Sequence, residues 1–431
     1  MADFQQKRRT FLKWATAFPL LARVTIQQAM GSGWAEVAKK STDNVYTRLG
    51  VKPIINGRGT WTYLSATLEL PEVKAAREAA SQHYVNIFEL QVGVGRRLAA
   101  LTGAESGMIT SGAAGAMASA TAGCIAGTDP DKIWQLPDTT GLKHEVVMVG
   151  GRSPFDSAIR LAGGKLVLAD SAEQLPNAIN ANTAMIYTTS SPEQLAKEIA
   201  VAKSHNVPIL MDAADGIPPI DKLRLFAKMG CDLYTVSGGK GLCGPQCSGI
   251  LLGRKDLIDA ALANTSPWEG AVCRPMKVGK EEIIGCLAAV EAWFDMDVSA
   301  LNKEWSMRVE RIASLVGTVP GVKTRIYTPE TNQYPTLVVL WDQSVWGYTT
   351  ADCARDLLEG SPSIAVLTDD NPSDVLSRKE MRNKSSKGSQ SNKLEIVSMT
   401  LNPGEEIIVG RRLRQLLSAA SGKPKSKPEP E

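Results

Sequence analysis

Residues 209–252 read ILMDAADGIPPIDKLRLFAKMGCDLYTVSGGKGLCGPQCSGILL. Three short apolar runs, at 209–211, 233–236 and 249–252, are separated by a helical pattern at 223–229 and by a glycine-rich turn. Their length, and the helical pattern between the first two, predict strands of a βαβ arrangement. The first run ends in Asp212, the second in Ser237-Gly-Gly-Lys240-Gly241. Open α/β sheets bind ligands outside the carboxyl ends of their strands. Asp212 and Lys240 are therefore expected on the same rim.

The pattern extends in both directions. Further strands are predicted at 146–149, 166–169 and 185–188, with helices at 157–162, 192–205 and 255–263. Alternation of this kind implies a mainly parallel sheet. Upstream, 71–100 has helical periodicity with short breaks, and 111–126 reads as a turn feeding an alanine-rich helix. Downstream, helices are predicted at 281–294 and 301–316, strands at 336–341 and 364–367, and a last helix at 405–417. We therefore divide the chain into a leader (1–40), a large domain with an N-terminal arm (41–295), a small α+β C-terminal domain (296–420) and a disordered tail (421–431). The Ser-, Asn-, Lys- and Arg-rich stretch 369–393 reads as an exposed loop.

The 48 Lys+Arg against 45 Asp+Glu leave a charge of +3, too small a surplus to argue for nucleic acid. Seven cysteines include no CxxC pair, and three histidines are scattered, so no metal site is expected; buried thiols are the simpler reading. No apolar run reaches the roughly 18 residues a spanning helix needs, which excludes a multispanning membrane protein. In the leader, Arg8-Arg9-Thr10-Phe11-Leu12-Lys13 precedes a short apolar stretch. This resembles a twin-arginine signal and predicts use of that export machinery and a periplasmic location. Arg23 and Gln27-Gln28 interrupt the apolar stretch, and a basic amphipathic helix is the alternative.

Four features carry chemistry. Lys240, set among Gly238, Gly239 and Gly241, could form an imine with a carbonyl cofactor, the glycines letting backbone approach a planar ring. A surface lysine in a glycine turn is the plain alternative; a nucleotide loop is not, since Gly241 stands where Ser or Thr would follow. Asp212 is placed to hold a pyridinium nitrogen protonated, with a helix cap or metal ligand as alternatives. Thr110-Ser111-Gly112-Ala113-Ala114-Gly115 opens a helix with small residues, an arrangement suited to phosphate, and Ser237 offers a second hydroxyl. Arg274-Pro-Met-Lys277-Val-Gly-Lys280 could grip an anionic substrate or be a solvated edge.

The order TSGAAGAM, MDAAD, SGGKGLCGPQCSG, RPMKVGKEE resembles the selenocysteine synthase (seryl-tRNA selenium transferase) family, and more closely its glucosaminate-6-phosphate ammonia-lyase branch. FELQVGVGRRLAALTGAESGM and LLGRKDLIDAALANTSP add to the likeness, which runs from about Val45 to Leu416. The resemblance implies an α/β, aspartate-aminotransferase-like fold type I enzyme that uses pyridoxal 5′-phosphate. It implies Lys240 as the Schiff-base lysine, Asp212 as the pyridinium partner, and Ser111, Gly112, Ala113 and Ser237 at the phosphate. It also places Gln246 near the site and implies a homodimer or larger homo-oligomer. Two departures stand out. Gly151 occupies the usual place of a histidine over the ring, leaving that group absent or supplied by Arg152. Ser65-Ala66-Thr67 replaces a Gly-Gly-Ser turn.

The activity implied is α,β-elimination with ammonia release from a small β-hydroxy amino acid or amino sugar acid. Arg152, Arg274 and Lys277 are the candidates for holding that substrate. Selenium transfer to seryl-tRNA is one alternative, and the weak charge and short N-terminal region speak against a tRNA surface. A PLP-fold binding protein with little catalysis is another, motivated by Gly151 and Ser65.

Overall fold

The computed structural model describes residues 44–368 and 393–422. The leader, the loop expected at 369–393 up to residue 392, and the tail from 423 lie outside the described residues. Two compact units divide at Pro53. In the first, Asn44 accepts hydrogen bonds from the backbone N–H groups of Tyr46 and Thr47 and opens the single turn Thr47–Leu49.

The second unit starts with β1 (Ile54–Asn56) and contains a seven-stranded sheet. Its strands are β2 (Ser106–Thr110), β3 (Glu145–Val149), β4 (Lys165–Ala169), β5 (Thr183–Thr188), β6 (Ile209–Asp212), β7 (Leu233–Ser237) and β8 (Gly249–Gly253). Their order across the sheet is β2-β8-β7-β6-β5-β3-β4. β8 runs antiparallel to both of its neighbours, and the other pairings are parallel. The expected α/β fold with a large, mainly parallel sheet is thus observed.

Strand alternation divides the core between the two faces of this sheet. Met108, Val146, Met148, Met185, Leu210, Leu233 and Leu251 pack with the helix Gly112–Ala126 on one face. Ile109, Val147, Val149, Ile186, Ile209, Met211 and Ile250 pack on the other, against helices that include Ile87–Thr102, Pro192–Ser204 and Lys280–Asp295. The helix Gly112–Ala126 is buried along nearly its whole length, which its run of Ala and Gly permits. At Gly123 a Cβ would lie 2.8 Å from the Ala261 nitrogen, so the neighbouring helix Lys255–Ala263 can approach only a glycine there. Start signals behave as their chemistry requires. Asn86, Asp129 and Ser191 each accept backbone N–H bonds at a helix start, contributing about 1 kcal/mol apiece.

A second layer follows in the chain. β9 (Lys323–Tyr327), β10 (Thr336–Leu340) and, after β11 (Ser363–Ala365), β12 (Lys393–Val397) supply an antiparallel sheet ordered β12-β10-β9. Val309, Ile312, Leu337, Val339, Leu394 and Leu413 form its core with the helices Val298–Val316 and Glu405–Ser421. The arm, assigned above to the large domain, gives its strand to this layer instead: β1 pairs in parallel with β11, and Ile55 joins the same core. Three residues are too few to show which sheet they serve. Val298–Val316 spans both cores, with Trp305 in the first and Val309 in the second.

Candidate functional site

Register and parity together bring the predicted residues to one place. Thr110, Gly249 and Ser237 lie opposite one another across β2, β8 and β7, and Asp212 lies opposite Thr235. These ends form the carboxyl rim of the sheet. Leu210 packs on the same face as the helix Gly112–Ala126, so Asp212, two residues on, points to that face as well. The same count places Ser237 there from Leu233, and Tyr187 from Met185.

The start of the helix Gly112–Ala126 presses on this rim. Gly112 turns with φ 74°, and a Cβ on Gly249 would lie 2.3 Å from the Gly112 carbonyl carbon and 2.5 Å from the Ala113 nitrogen. Only glycine at 249 lets the turn lie this close to the strand end. Ser111 is the N-cap residue, yet its side chain makes no capping bond. A Cβ on Gly115 would sit 2.7 Å from the Ser111 oxygen, so glycine at 115 keeps room for that hydroxyl. A serine hydroxyl and the first N–H groups of a 15-residue helix therefore face one point, with the positive end of the helix dipole behind them.

Asp212 is held from two sides. Its Oδ1 accepts from the Ala214 N–H (3.0 Å), and its Oδ2 accepts from the Tyr187 hydroxyl (2.7 Å). Burial first, and then the Asp212 carboxylate beside it, push the Tyr187 phenol far above its ordinary value, so the phenol remains a donor. Thr235, fully buried opposite Asp212, has a hydroxyl with no partner among the described residues.

Lys240 is half-buried in the turn after β7, and no described residue hydrogen-bonds or pairs with its amine. The flanking glycines do something other than the sequence reading expected. A Cβ on Gly238 would lie 2.0 Å from the Ser248 oxygen, one on Gly239 2.4 Å from the Gln246 Cα, and one on Gly241 1.8 Å from the Ile217 carbonyl oxygen. Close approach is needed at all three, but to the protein's own chain rather than to a cofactor ring. The lysine turn is wedged between two other loops, which fixes where Lys240 starts.

The arm closes over this turn. Thr67 donates to the carbonyl oxygens of Gly239 (2.9 Å) and Lys240 (3.0 Å), and Gln246 donates to Thr62 O (2.8 Å). Thr60 and Asn332 donate to opposite oxygens of Asp215. Ser65 (φ 66°) and Ala66 (φ 57°) both adopt left-handed backbone, the conformation a Gly-Gly turn would supply.

The remaining candidates make no described contact with Ser111, Asp212 or Lys240. Arg152 binds both oxygens of buried Asp156, which Arg160 also contacts. Burial alone would raise that carboxyl, but the two guanidinium groups outweigh it and hold it low. Gly150 and Gly151 both have positive φ, and nothing lies within 4 Å of a Cβ built on either. Arg274 is half-buried and Lys277 exposed, and neither has a described contact with the rim group. No cluster of potential metal ligands occurs among the described residues. The sequence reading passed over Tyr187, although a tyrosine inside an otherwise apolar strand needs a partner for its hydroxyl and is a signal in itself.

The donor set fits pyridoxal phosphate: a serine hydroxyl at a helix start and a lysine amine, both without a partner among the described residues, share one rim with a carboxylate fixed at a strand end. Residues 171–277 match the class-V aminotransferase family. Over 401 residues the chain is 30% identical to the 5′-C-glycyluridine monooxygenase-decarboxylase of Streptomyces sp, covering 88% of this chain and 93% of that protein. Over 299 residues it is 32% identical to the D-glucosaminate-6-phosphate ammonia lyase of Salmonella typhimurium, covering 65% and 79%. It is 24% identical over 332 residues to the L-seryl-tRNA(Sec) selenium transferase of Nitratidesulfovibrio vulgaris, covering 64% and 67%. A solved D-glucosaminate-6-phosphate ammonia-lyase superposes with a TM-score of 0.72 at 28% identity, covering 88% of this chain and all of that one. By likeness over most of its length and by its fold, the chain belongs to the selenocysteine synthase-like family of fold type I pyridoxal-phosphate enzymes, together with the D-glucosaminate-6-phosphate ammonia-lyases.

Proposed function

We propose that the chain is a pyridoxal-phosphate-dependent lyase that eliminates water from a small β-hydroxy amino acid or amino sugar acid, the enamine product then taking up water to give a keto acid and ammonia. The observation that carries this reading is the convergence of Ser111, Ser237, Asp212 and the Lys240 turn on one rim. When bound, the cofactor supplies a ring that accepts electrons from the substrate's α-carbon.

The chain's residues do the rest. Ser111 and Ser237 offer hydroxyls, and Gly112 and Ala113 offer N–H groups, to the phosphate. Asp212 holds a proton on the ring nitrogen, and its two hydrogen bonds keep its plane fixed while it does so. Lys240 would anchor the cofactor, and its amine, when free, would take the substrate's α-proton. Gln246, hydrogen-bonded to Thr62, holds the arm against the lysine turn at the edge of the site.

Borohydride reduction of the purified, pyridoxal-phosphate-loaded protein followed by peptide mapping tests this assignment. The reduced cofactor is expected on Lys240, with Asp212→Ala still labelled but slowed by about a thousandfold in ammonia release. Label on another lysine, or full activity in Asp212→Ala, contradicts it.

A second reading has its own support: the match to the monooxygenase-decarboxylase spans more of this chain than the match to the ammonia lyase. The same Lys240 and Asp212 would then serve loss of a carboxyl group from a glycyl-bearing substrate. Release of carbon dioxide in place of ammonia, when the loaded protein is given glycyl-bearing and β-hydroxy amino substrates side by side, decides for it.

A further inference from the structure

Tyr187 is 2% exposed, at the next-to-last position of β5, and it packs among the apolar side chains beside the helix Gly112–Ala126. Packing alone would be served by phenylalanine. The hydroxyl, however, reaches across to β6 and donates to Asp212 Oδ2 at 2.7 Å. Ser153, in the loop after β3, lies close enough to the same phenol to act on it. The phenol thus joins the end of β5 to the end of β6, beside the loop that starts at Gly150-Gly151.

We propose that Tyr187 is a positioning residue that fixes the plane of the Asp212 carboxylate and so determines how firmly the ring nitrogen's proton is held. This rests on the reading of Asp212 as the ring partner. Without the phenol, only the Ala214 N–H on Oδ1, among the described residues, holds the carboxylate by a hydrogen bond. With it, both oxygens are tied and the lone pairs that remain point at the rim. Each oxygen can accept more than one bond, so the phenol does not displace the ring.

Asp212 lines one cavity with Asp215, Lys222 and Glu330, and Asp215 is tied to Thr60 and Asn332. Asp156 lies close enough to Tyr187 to act on it, and Asp156 is itself paired with Arg152 and Arg160. Lys240 enters from the turn after β7. A change at Tyr187 is therefore read mainly through Asp212.

The test is Tyr187→Phe in the full chain loaded with pyridoxal phosphate, which removes one oxygen and keeps the ring that fills the core. Two quantities other than activity are measured: the dissociation constant for pyridoxal phosphate, and the pH midpoint of the visible absorbance of the lysine-bound cofactor. Loss of one hydrogen bond to a charged group is expected to weaken cofactor binding roughly tenfold. A looser hold on the ring proton is expected to move the midpoint upward by about one pH unit. In an Asp212→Asn background the same change should move neither quantity further, because the pathway runs through that carboxylate. A midpoint and dissociation constant equal to the wild type's, with Lys240 carrying the label, overturn the role of Tyr187 and leave the assignment of Lys240 standing. An equal shift in the Asp212→Asn background also overturns it. A wild-type chain that binds no pyridoxal phosphate, or carries it elsewhere, overturns both readings.

Discussion

At the 111–115 turn the chain enters left-handed backbone once, at Gly112 (φ 74°); at the arm's 61–67 turn it does so twice in succession with side chains attached, at Ser65 (φ 66°) and Ala66 (φ 57°). Both turns abut the rim, one against Gly249 and the other against the Lys240 turn. In the first, residue type removes the strain: glycine carries no Cβ at 112 and none at 249, where the backbones meet. In the second, the surroundings hold a conformation that costs about 1–2 kcal/mol per residue. Asn56 donates to the carbonyls of Gly59 and Ala66, Thr67 fastens the turn to Gly239 and Lys240, and Arg58 stacks over Trp61 and Tyr63. Backbone geometry can thus be written into one residue or into its neighbours, and only the first is visible as a motif.

Three substitutions put the contrast to measurement. Gly249→Val should have the largest effect, since its Cβ has no room and the atoms it meets are backbone. A loss of about 3 kcal/mol or more in denaturant stability is expected, with cofactor affinity falling alongside. A wild-type unfolding midpoint would show that the Gly112 turn can lift away from β8 freely. Thr67→Val should cost about 1–2 kcal/mol, because the variant keeps the shape and loses the hydroxyl that binds two carbonyls. If its midpoint is unchanged, the arm turn is held by something else. Ser65→Gly should have the smallest effect and the opposite sign. Ser65 is exposed, so glycine removes backbone strain without removing packing, for a gain of up to about 1 kcal/mol after its own unfolded-state entropy. A drop in stability would mean that Ser65 makes a contribution its exposure does not suggest.

Much of the large domain was legible in the sequence because its parallel strands are buried on both faces and read as unbroken apolar runs. The runs ending at Val149, Thr188 and Asp212 show this. Four strands escaped notice. β2 opens on Ser106-Gly107, β9 is largely exposed and reads KTRIY, β1 has three residues, and β12, reading KLEIV, follows directly on the polar stretch read as a loop. For the site, Asp212, Ser237 and the Ser111 turn could be found because each follows a strand or opens a helix among small residues. Tyr187 offered a signal, a hydroxyl inside an apolar strand, but its partner could not be read, since that depends on which strand lies next to β5.

The sequence by itself determined where strands end, which side chains share a face and where backbone must be free of Cβ atoms, because alternation, helical period and glycine are properties of a few neighbouring residues. Only the tertiary structure decided that β8 inserts antiparallel between β2 and β7, that the arm pairs with β11 before returning to Lys240, and that Tyr187 meets Asp212. Those contacts join residues from 12 to more than 300 positions apart. They are selected by which pairing buries both sheet faces and satisfies the buried polar groups of the whole chain at once, a condition that no local stretch can express.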